Sequence, residues 1–377
     1  MKQPEPIRTV IVGTARRSAY LYGPLLHALP DVELVGVWGR SEGSAHALGQ
    51  ALGVPASTDL HALIKATGAV AGVVSVAYSA NGEVGQMAAE HDLHLLLETP
   101  VAHHLREADA IIATARERGL KVEVAEQFHR RPLEQLKLTL LESGLFGEVF
   151  TAFNDFAGHG YHGVSVLRSY VGFDAAPTTV AGATSSYALA SHWSRLAERH
   201  APRTETQEHG IIRFATGQTG IYHWSDVAYD SALRWWRSSR FLAERGMGVT
   251  WGVEPDVTCH LTLLASGGEA PRPIVVERRY RRNDGGPLEA MVAHTGDPDL
   301  PIVRWDNPFA DVAQWNDDEI GVAGCVMSLV DAIRSDSAPS YGAEQGRLDQ
   351  EVSLAIRLSA RRDGEPVALP LNRDIDI

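Results

Sequence analysis

The sequence has little cysteine and no long apolar run. Only two cysteines, Cys259 and Cys325, occur among its 377 residues, and neither belongs to a CxxC pair. We therefore expect no disulfide framework and no zinc knuckle, and a reduced, cytoplasmic setting fits best. No apolar run reaches the roughly 20 residues of a transmembrane helix, and residues 1–6 lack the apolar segment of a signal peptide. The expectation is a protein that is neither exported nor embedded in a membrane.

Positive charge is also scarce, because acidic residues outnumber basic ones and the formal net charge is -13. Nucleic acids and anionic membranes both favour a basic protein surface, so we expect neither as a partner. What the sequence does contain is ordinary for a globular protein, since 44% of its residues are hydrophobic. Its length suffices for about two or three domains. A small-molecule substrate is the expected ligand.

The first third of the chain alternates short apolar runs with helical patterns. Such alternation indicates right-handed βαβ crossovers and hence a Rossmann-like, doubly wound parallel sheet. The predicted strands are Thr9–Gly13, Val32–Trp38, Val70–Ala77, Leu93–Leu97 and Lys121–Glu126. The predicted helices are Leu21–Leu29, Ala45–Leu52, Val84–His91 and Glu107–Arg118.

The rhythm changes after Gln127. A helix is predicted at Leu133–Ser143, strand-like runs follow, and long helices return at about Asp317–Arg334 and Glu344–Arg361. The strand candidates are Val149–Phe153, Gly210–Phe214, Gly220–Trp224 and Pro273–Glu277, with one helical segment at Val164–Val171. We therefore expect an α/β domain of residues 1–127 and an α+β domain of residues 128–377. The second domain is expected to contain a large, mostly antiparallel open sheet.

Six segments carry sequence motifs in a fixed order along the chain. They are Val10–Gly13, Leu95–Pro100, Val124–Pro132, Ser143–Val149, Val166–Gly172 and the closing pair Ser359–Ala360 with Pro366–Leu371. Together they resemble the Gfo/Idh/MocA oxidoreductases over nearly the whole chain. The resemblance implies an NAD(P)-dependent oxidoreductase that acts on a sugar, a cyclitol or a sugar-like metabolite. It also implies a homo-oligomer, a dimer or a tetramer, built by the open sheet of the second domain.

The first strand is followed by a turn from Gly13 to Ser18. A dinucleotide fingerprint, G-x-G-x-x-G, uses its glycines for a tight turn, for close approach to the pyrophosphate and for helix–strand packing. Only Gly13 is kept, while Ala15 adds a methyl group at the closest approach and Ser18 is small enough for packing. Arg16 or Arg17 could add charge beside a phosphate, and the alternative is a turn that has lost its ligand. The cofactor candidates here are Gly13, Thr14, Ala15 and Arg16.

The second strand is followed by Arg40 and Ser41. An NAD-preferring site usually places an acidic residue there to bind the ribose hydroxyls. A guanidinium and a hydroxyl suit a 2′-phosphate instead, so NADP is expected more than NAD, although Arg40 could simply face solvent. Ligands of parallel sheets bind at the carboxyl ends of the strands. The later strand ends and loops therefore add the cofactor candidates Ala77, Tyr78, Asn81, Glu98, Thr99 and Gln127.

The segment Glu98-Thr99-Pro100 departs from the family that the chain resembles. In that family a lysine occupies the middle position, where it contacts the substrate hydroxyl and the nicotinamide ribose. Thr99 is neutral and short, so it cannot supply a cationic donor. Glu98 and Pro100 are kept, which predicts that the loop geometry is kept and leaves Thr99 as a candidate catalytic position.

A second departure surrounds His162, which aligns with a histidine of the family. The family often places an aspartate four residues earlier and a further acid three residues later, and those positions are Gly158 and Ser165 here. An imidazole ordinarily titrates near neutral pH, so His162 could serve as a general acid or base. The alternative is a histidine that only makes hydrogen bonds. The neighbouring catalytic candidates are His159 and Tyr161.

Replacement groups for substrate binding can be proposed from sequence proximity. The candidates are His129, Asp155, His223 and Trp224, of which the last two end a predicted strand and could face the same cavity as His162. His159 and His162 could also form a metal pair, but no third ligand is fixed by spacing, so we expect no metal site. Trp235 and Trp236 could stack on a sugar ring or cover a core or subunit contact.

The two departures keep other functions open. A non-redox enzyme on the same fold, catalysing elimination or glycoside cleavage, is one alternative. A non-catalytic ligand-binding or regulatory protein is another, because the glycine turn is incomplete. Fluorescence titration with NADPH and NADH separates both enzyme hypotheses from the non-catalytic one.

Overall fold

The computed structural model describes residues 4–234, 237–252, 257–282 and 285–372. Contacts between residues divide the chain into two units. The first unit runs to Arg130 and also takes in Pro308–Leu348, and the second comprises Arg131–Asn307 and the chain from Asp349 onward. Within the described ranges, no helix combines the length and the apolar character needed to cross a membrane.

Seventeen strands and ten α-helices follow one another within those ranges. The strands are β1 Ile7–Val12, β2 Val32–Trp38, β3 Ala56–Ser57, β4 Ala71–Val74, β5 His94–Leu97, β6 Val122–Val124, β7 Val149–Asp155, β8 Pro177–Ser194, β9 Arg199–Phe214, β10 Thr219–Ser225, β11 Ser238–Ala243, β12 Gly246–Trp251, β13 Thr258–Leu263, β14 Arg272–Tyr280, β15 Leu288–His294, β16 Ile302–Asp306 and β17 Val367–Ala368. The helices are α1 Gly23–Ala28, α2 Glu42–Leu52, α3 Leu60–Thr67, α4 Asn81–Glu90, α5 Leu105–Arg118, α6 Pro132–Glu142, α7 Gly160–Val171, α8 Asp226–Asp230, α9 Asp317–Ser335 and α10 Ala343–Ala360.

The first unit is built on six parallel strands in the order β3-β2-β1-β4-β5-β6. Its central strands are apolar and fully buried, since residues 10–12 and 95–97 have no exposed surface. Helices cover both faces of such a sheet, and a strand between them needs this composition. The strand order reverses beside β1, as in doubly wound folds. The Rossmann-like parallel sheet expected from the sequence is confirmed.

The first unit is larger than residues 1–127, because α9 and the segment after it pack on β6. The buried carboxylate of Glu123 on β6 accepts hydrogen bonds from Arg130 Nη2 at 2.6 Å and from Ser328 Oγ at 2.7 Å. The backbone N–H of Tyr341 donates to the same carboxylate at 3.2 Å. Residues 308–348 therefore belong to the first unit, although the sequence analysis assigns all of 128–377 to the second domain. No local pattern reveals this, because Ser328 lies 205 positions from Glu123 along the chain.

The second unit contains an eleven-stranded sheet in the order β16-β15-β14-β13-β12-β11-β7-β10-β9-β8-β17. Its neighbouring strands are antiparallel, except that β7 and β10 run parallel to each other. The large, mostly antiparallel sheet expected from the sequence is confirmed. The parallel pair has a local consequence, because the carboxyl ends of β7 and β10 lie at the same edge and lead into α7 and α8.

One face of the second sheet is covered by helices. Residues of α10 pack so closely on it that a side chain on Gly182 would overlap the carbonyl of Ile356. On β9, Ile212 points to this covered face and has no exposed surface, whereas the adjacent Ile211 is 44% exposed. On β14, Ile274 is buried and Val275 is 63% exposed in the same alternation. The second face of the sheet therefore carries apolar side chains that the described chain leaves accessible.

Candidate functional site

The turn after β1 is closed by Gly13 and Ser18. Gly13 has a φ of 122°, and a Cβ atom at this position would overlap the carbonyl group of Ser75. Ser18 is fully buried, and its hydroxyl donates to the carbonyls of Gly13 at 3.1 Å and Ser75 at 3.3 Å. Ser18 thus fastens the turn to the end of β4. The following helical segment starts at Arg16, directly after the turn, and the N-terminus of a helix favours an anion.

A π-helical turn, Ser18–Tyr22, follows directly and determines which side chains share a carboxylate. In such a turn, residues five apart lie on the same side, which brings Arg17 and Tyr22 to one carboxylate. Arg17 Nε lies 2.6 Å from Glu98 Oε1, and the Tyr22 hydroxyl donates to the same oxygen at 2.7 Å. The backbone N–H of Thr99 donates to the other oxygen of Glu98 at 3.2 Å. Glu98 is therefore fully engaged inside the first unit.

The charges of this cluster are fixed by burial and proximity. Burial opposes the charge of Arg17, but Glu98, together with smaller contributions from Tyr22, Asp318 and Tyr20, more than compensates and raises the pKa of Arg17 above its ordinary value. Burial and the same carboxylate raise the pKa of Tyr22 well above its usual range. Arg17 is thus a cation paired with Glu98, and Tyr22 is a neutral donor. Of the two arginines considered for a phosphate, Arg16 is the exposed one.

The segment Glu98-Thr99-Pro100, which we call the proline loop, is held from below by Asn81. This side chain is 1% exposed, and its Nδ2 donates to the carbonyls of Glu98 and Pro100, both at 2.5 Å. Asn81 is a cofactor candidate of the sequence analysis, and the structure places it under the loop rather than at its surface. Thr99 is half-buried, so it retains access to solvent or ligand.

The candidates after β2 and β4 lie at the expected strand ends. Arg40 is exposed. The Ser41 hydroxyl caps α2, where it accepts from Ser44 N at 3.3 Å and lies 2.7 Å from Ser44 Oγ. Ala77 is exposed, and Tyr78 is 57% exposed with its ring 4.7 Å from that of His103. Arg40 and Tyr78 thus offer accessible side chains, while Ser41 also has a structural role.

Gln127 and His129 are buried in the first unit. Gln127 is 6% exposed, and its amide donates to Asp318 Oδ1 at 3.2 Å. His129 is 5% exposed, and its ring lies 5.2 Å from that of Tyr341. The structure therefore gives these two candidates packing contacts with residues 308–348, and His129 does not belong to the unit that carries His162.

In the second unit, residues 158–163 form what we call the glycine loop, between β7 and the first turn of α7. Asn154 holds it with both ends of its amide: Oδ1 accepts from Gly158 N and Nδ2 donates to Gly158 O, each at 2.9 Å. The hydroxyl of the buried Tyr222 accepts from Gly160 N at 2.6 Å. A Cβ atom on Gly158 would lie 2.7 Å from Gly163 N and 2.8 Å from the carbonyl carbon of His162. The loop packs against its own helix too tightly for any side chain at position 158.

The glycine loop gathers aromatic rings at the edge where β7 and β10 end. The His162 ring is 8% exposed and lies 4.9 Å from that of His159 and 4.5 Å from that of Tyr161. The Trp224 ring lies 5.7 Å from that of His159. Tyr229 on α8 completes the group, with its ring 6.1 Å from His159 and 6.5 Å from Trp224. Four of the sequence candidates are therefore brought together, and Tyr229 joins them.

His223 and Asp155 form a separate group. Side chains alternate along a strand, so His223 lies on the sheet face opposite to Tyr222 and the glycine loop. Its Nδ1 is 2.8 Å from Asp155 Oδ1, and its ring stacks on that of His209 at 4.7 Å. Burial and the nearby His223 lower the pKa of His209. The structure thus pairs these two candidates with each other and not with His162.

Two further expectations concern Trp235 with Trp236 and a metal ion. Both tryptophans lie outside the described residues. Among the residues that the structure does describe, no cluster of three or more His, Cys, Asp or Glu side chains is placed to hold a metal ion.

Comparison with known proteins complements this geometry. Residues 7–126 match the model of the Gfo/Idh/MocA family, an oxidoreductase family with an NAD-binding Rossmann fold. This match covers all six strands of the parallel sheet and supports the family resemblance of the chain. The chain is an enzyme, and its parallel-sheet segment matches an NAD-binding oxidoreductase family. None of the curated protein sequences matches the chain significantly.

Solved structures share the whole fold at low sequence identity. An aldose-aldose oxidoreductase from Caulobacter crescentus, complexed with glycerol, is 16% identical with a TM-score of 0.68 and covers 97% of this chain and 100% of its own. The WlbA dehydrogenase from Bordetella pertussis, in complex with NADH and UDP-GlcNAcA, is 19% identical with a TM-score of 0.64 and covers 98% and 100%. A 3-ketoreductase from Actinomadura kijaniata, in complex with TDP-benzene and NADP, is 17% identical with a TM-score of 0.58 and covers 94% and 98%. At these identities the likeness concerns the fold.

Three positions of the chain differ from the pattern that the family resemblance implies. Thr99 takes the lysine position on a loop whose glutamate is paired with Arg17. Gly158 takes the aspartate position, where no side chain fits. Ser165 takes the third position, is fully buried, and donates its hydroxyl to the carbonyl of His162 at 3.0 Å. Two of the three replacements thus help to shape the backbone around His162.

Several residues of the site escape sequence reasoning. They are Tyr22, Asn154, Tyr222 and Tyr229, together with Arg195 and Arg237, whose guanidinium groups lie beside the Tyr229 ring. Only Tyr22 carries a local signal, since it follows the cofactor turn at a fixed distance. The others meet through the pairing of strands that are far apart in sequence.

Proposed function

We propose that this chain is an NADP-preferring oxidoreductase that oxidises a hydroxyl or reduces a carbonyl of a sugar, cyclitol or sugar-like metabolite. The observation that carries the proposal is the ring group of His159, Tyr161, His162 and Trp224 at the shared carboxyl edge of β7 and β10. Histidine and tyrosine can exchange protons with a hydroxyl, and a tryptophan face suits the apolar face of a sugar ring.

His162 is the proton donor or acceptor in this proposal. The nicotinamide, when bound, supplies or accepts the hydride, so the protein needs one group to hold the hydroxyl proton. Asn154 and Tyr222 fix the glycine loop by hydrogen bonds to the backbone of Gly158 and Gly160. His162 therefore has a defined position, and preorganised groups contribute most to catalysis.

The first unit fits a dinucleotide. Gly13 and Ser18 keep the turn closed against β4, and a helical segment begins at Arg16 directly after the turn, where the N-terminus of a helix favours an anion. The methyl group of Ala15 is the one addition at the closest approach. Arg40 supports NADP, because it is exposed at the end of β2 and no hydrogen bond or ion pair joins it to the described residues. A free guanidinium there suits a 2′-phosphate.

The catalytic role is tested with a substrate that is turned over, by comparing His162→Ala with His159→Ala and Tyr161→Phe. Removing a general acid or base typically costs about 10²–10⁴-fold in rate, and we expect the largest loss for His162→Ala. Wild-type turnover by His162→Ala, with a loss in one of its neighbours, would move the role to that neighbour.

The cofactor preference is tested by calorimetric titration with NADPH and NADH. We expect Arg40→Ala to weaken the binding of NADPH by about tenfold, as for the loss of one charge-assisted contact, and to leave the binding of NADH unchanged. Equal affinities of the wild type for both cofactors contradict the preference.

A non-redox reaction on the same fold remains the second candidate, and one observation favours it. The packing at Gly158 excludes the acid that the resemblance implies for the dehydrogenase site. Product analysis separates the two functions, since elimination or glycoside cleavage leaves the net redox state of the substrate unchanged.

The accessible face of the second sheet supports a homo-oligomer. Ile211 and Val275 are largely exposed there, and the Arg240 guanidinium lies 3.9 Å from the centre of the Phe153 ring. A large apolar patch on the surface of a sheet is usually covered by a partner. We expect light scattering to give a dimer or a tetramer, and a monomer at micromolar concentration refutes the assembly.

A further inference from the structure

The exposed end of the ring group lies between two arginines. Tyr229 on α8 has the guanidinium carbon of Arg195 at 5.0 Å from its ring centre and that of Arg237 at 6.0 Å. Both distances are within reach of a cation–π contact. Arg195 comes from the turn between β8 and β9, and Arg237 directly precedes β11, so three separate segments meet at this point. All of them belong to the second unit.

The nearby acids are already neutralised by other arginines. Arg203 pairs with both Asp226 and Asp230, and Asp230 also accepts from Ser194 Oγ at 2.6 Å. Arg234 pairs with Glu205 at 3.1 Å. The carboxylates around α8 are thus paired with Arg203 or Arg234, and in the described part of the chain none of them forms an ion pair with Arg195 or Arg237.

Arg237 in particular has no anionic partner among residues 4–234, 237–252, 257–282 and 285–372. Its Nε is buried and has no hydrogen-bond acceptor in that part of the chain. Burial, and then the positive charges of Arg131 and Arg195, lower the pKa of Arg237. Like charges gathered in a half-buried place are costly unless an anion joins them.

The arginines are continuous with the proposed catalytic group. The Tyr229 ring lies 6.1 Å from His159, whose ring lies 4.9 Å from His162. Two ring contacts thus separate the guanidinium groups from the proposed acid or base. A ligand that reaches His162 with one end can place a substituent beside Tyr229 with the other.

We propose that Arg195 and Arg237 bind an anionic substituent of the substrate, a carboxylate or a phosphate, so that the substrate is an acidic sugar rather than a neutral one. Guanidinium groups bind both anions through paired N–H donors. The net charge of the chain is -13, so a local cluster of cations also directs an acidic ligand to this place. The inference rests on the proposed function only for the position of the reacting carbon.

The experiment measures binding by calorimetry without cofactor, using glucuronate, glucose 6-phosphate and glucose as probes. We expect glucuronate or glucose 6-phosphate to bind at least about tenfold more tightly than glucose. The stronger of the two identifies the anion as carboxylate or phosphate. Weak and equal binding of all three probes overturns the inference.

Variants locate the anion. Arg237→Met and Arg195→Met should each weaken the binding of the acidic probe by about tenfold and leave the binding of glucose unchanged. Arg213→Met is the matched control, because it removes one exposed charge from β9 on the other face of the sheet and should change neither probe. Arg237→Lys keeps the charge, so it should retain part of the binding if Arg237→Met merely fails to fold. Unchanged affinity in both methionine variants overturns the inference.

The outcome is distinguishable from failure of the proposed function. His162→Ala should lose hydride transfer but still bind the acidic probe more tightly than glucose, because it leaves both arginines in place. If the wild type binds the acidic probe through Arg237 but transfers no hydride, the anion site stands and the redox proposal fails. If hydride transfer occurs equally well on neutral sugars, the redox proposal stands and the anion site fails.

Discussion

The proline loop of the first unit and the glycine loop of the second each replace a side chain that the family resemblance implies, but they do so in different ways. Thr99 is half-buried and keeps access to the surroundings, so its position has room for a longer side chain. Gly158 has backbone atoms of Gly163 and His162 within 2.7 Å and 2.8 Å of where its Cβ would be. Position 99 can therefore accept another side chain, whereas the packing excludes one at position 158.

Both loops are held by a buried asparagine, and this allows a direct comparison. Asn81 uses only its amide nitrogen, which donates to the carbonyls of Glu98 and Pro100. Asn154 uses both its oxygen and its nitrogen on Gly158, and it also donates to the carbonyl of His223 at 3.2 Å. The glycine loop therefore depends more on its asparagine than the proline loop does.

The largest effect is expected for Gly158→Asp, which restores the acid of the resemblance. The new side chain would overlap the start of α7 and bury a charge without a partner, so we expect a loss of at least about 3 kcal/mol in the free energy of unfolding. Urea unfolding followed by circular dichroism measures it. Gly43→Ala is the control, because no atom lies within 4 Å of its added Cβ on α2 and a helical alanine should stabilise by about 0.5–1 kcal/mol. Wild-type stability of Gly158→Asp contradicts the packing argument.

A smaller effect is expected when the two asparagines are replaced by alanine. Asn154→Ala leaves the N–H and carbonyl of Gly158 without partners, and we expect a loss of about 2–3 kcal/mol. Asn81→Ala removes two bonds from one nitrogen, and its own Oδ1 is buried without a partner in the described chain, so we expect about 1–2 kcal/mol. The same unfolding experiment compares them, and the reverse order refutes the stated difference between the loops.

Much of the first unit could be predicted from sequence, because its elements are local. The run Val32–Trp38 coincides with β2, and the predicted helix of residues 45–52 lies within α2. Helix α3 escapes the apolar pattern, although its cap at Asp59 and its terminal Gly68 are local signals that could have revealed it.

The second unit could be predicted less well, because its longest strands lack a pattern. Strand β8 spans Pro177–Ser194, and from Thr184 onward most of its residues are exposed or half-buried. Pairing with β9, rather than burial of alternate residues, holds this part. The site shows the same limit: His162 stands in a recognisable motif, whereas Arg195 and Tyr229 meet only through tertiary structure.

The smallest effect is expected for Thr99→Lys, which restores the lysine of the resemblance on the proline loop. Because position 99 is half-buried and accessible, we expect the free energy of unfolding to change by no more than about 0.5 kcal/mol. We also expect no turnover of common hexoses or inositols. The neighbouring carboxylate of Glu98 is already paired with Arg17 and accepts from Tyr22, so a lysine at position 99 would compete with Arg17 for it. The acid of the glycine loop cannot be present, because position 158 has no room for it.

Assays of NADP reduction with these sugars test the expectation, with Thr99→Met as a control for side-chain length. The double variant Arg17→Met, Thr99→Lys frees Glu98 for the new ammonium group. Turnover in the double variant alone would show that the ion pair between Arg17 and Glu98 is what prevents activity. Turnover in the single variant would show that neither this ion pair nor the missing acid at position 158 prevents activity.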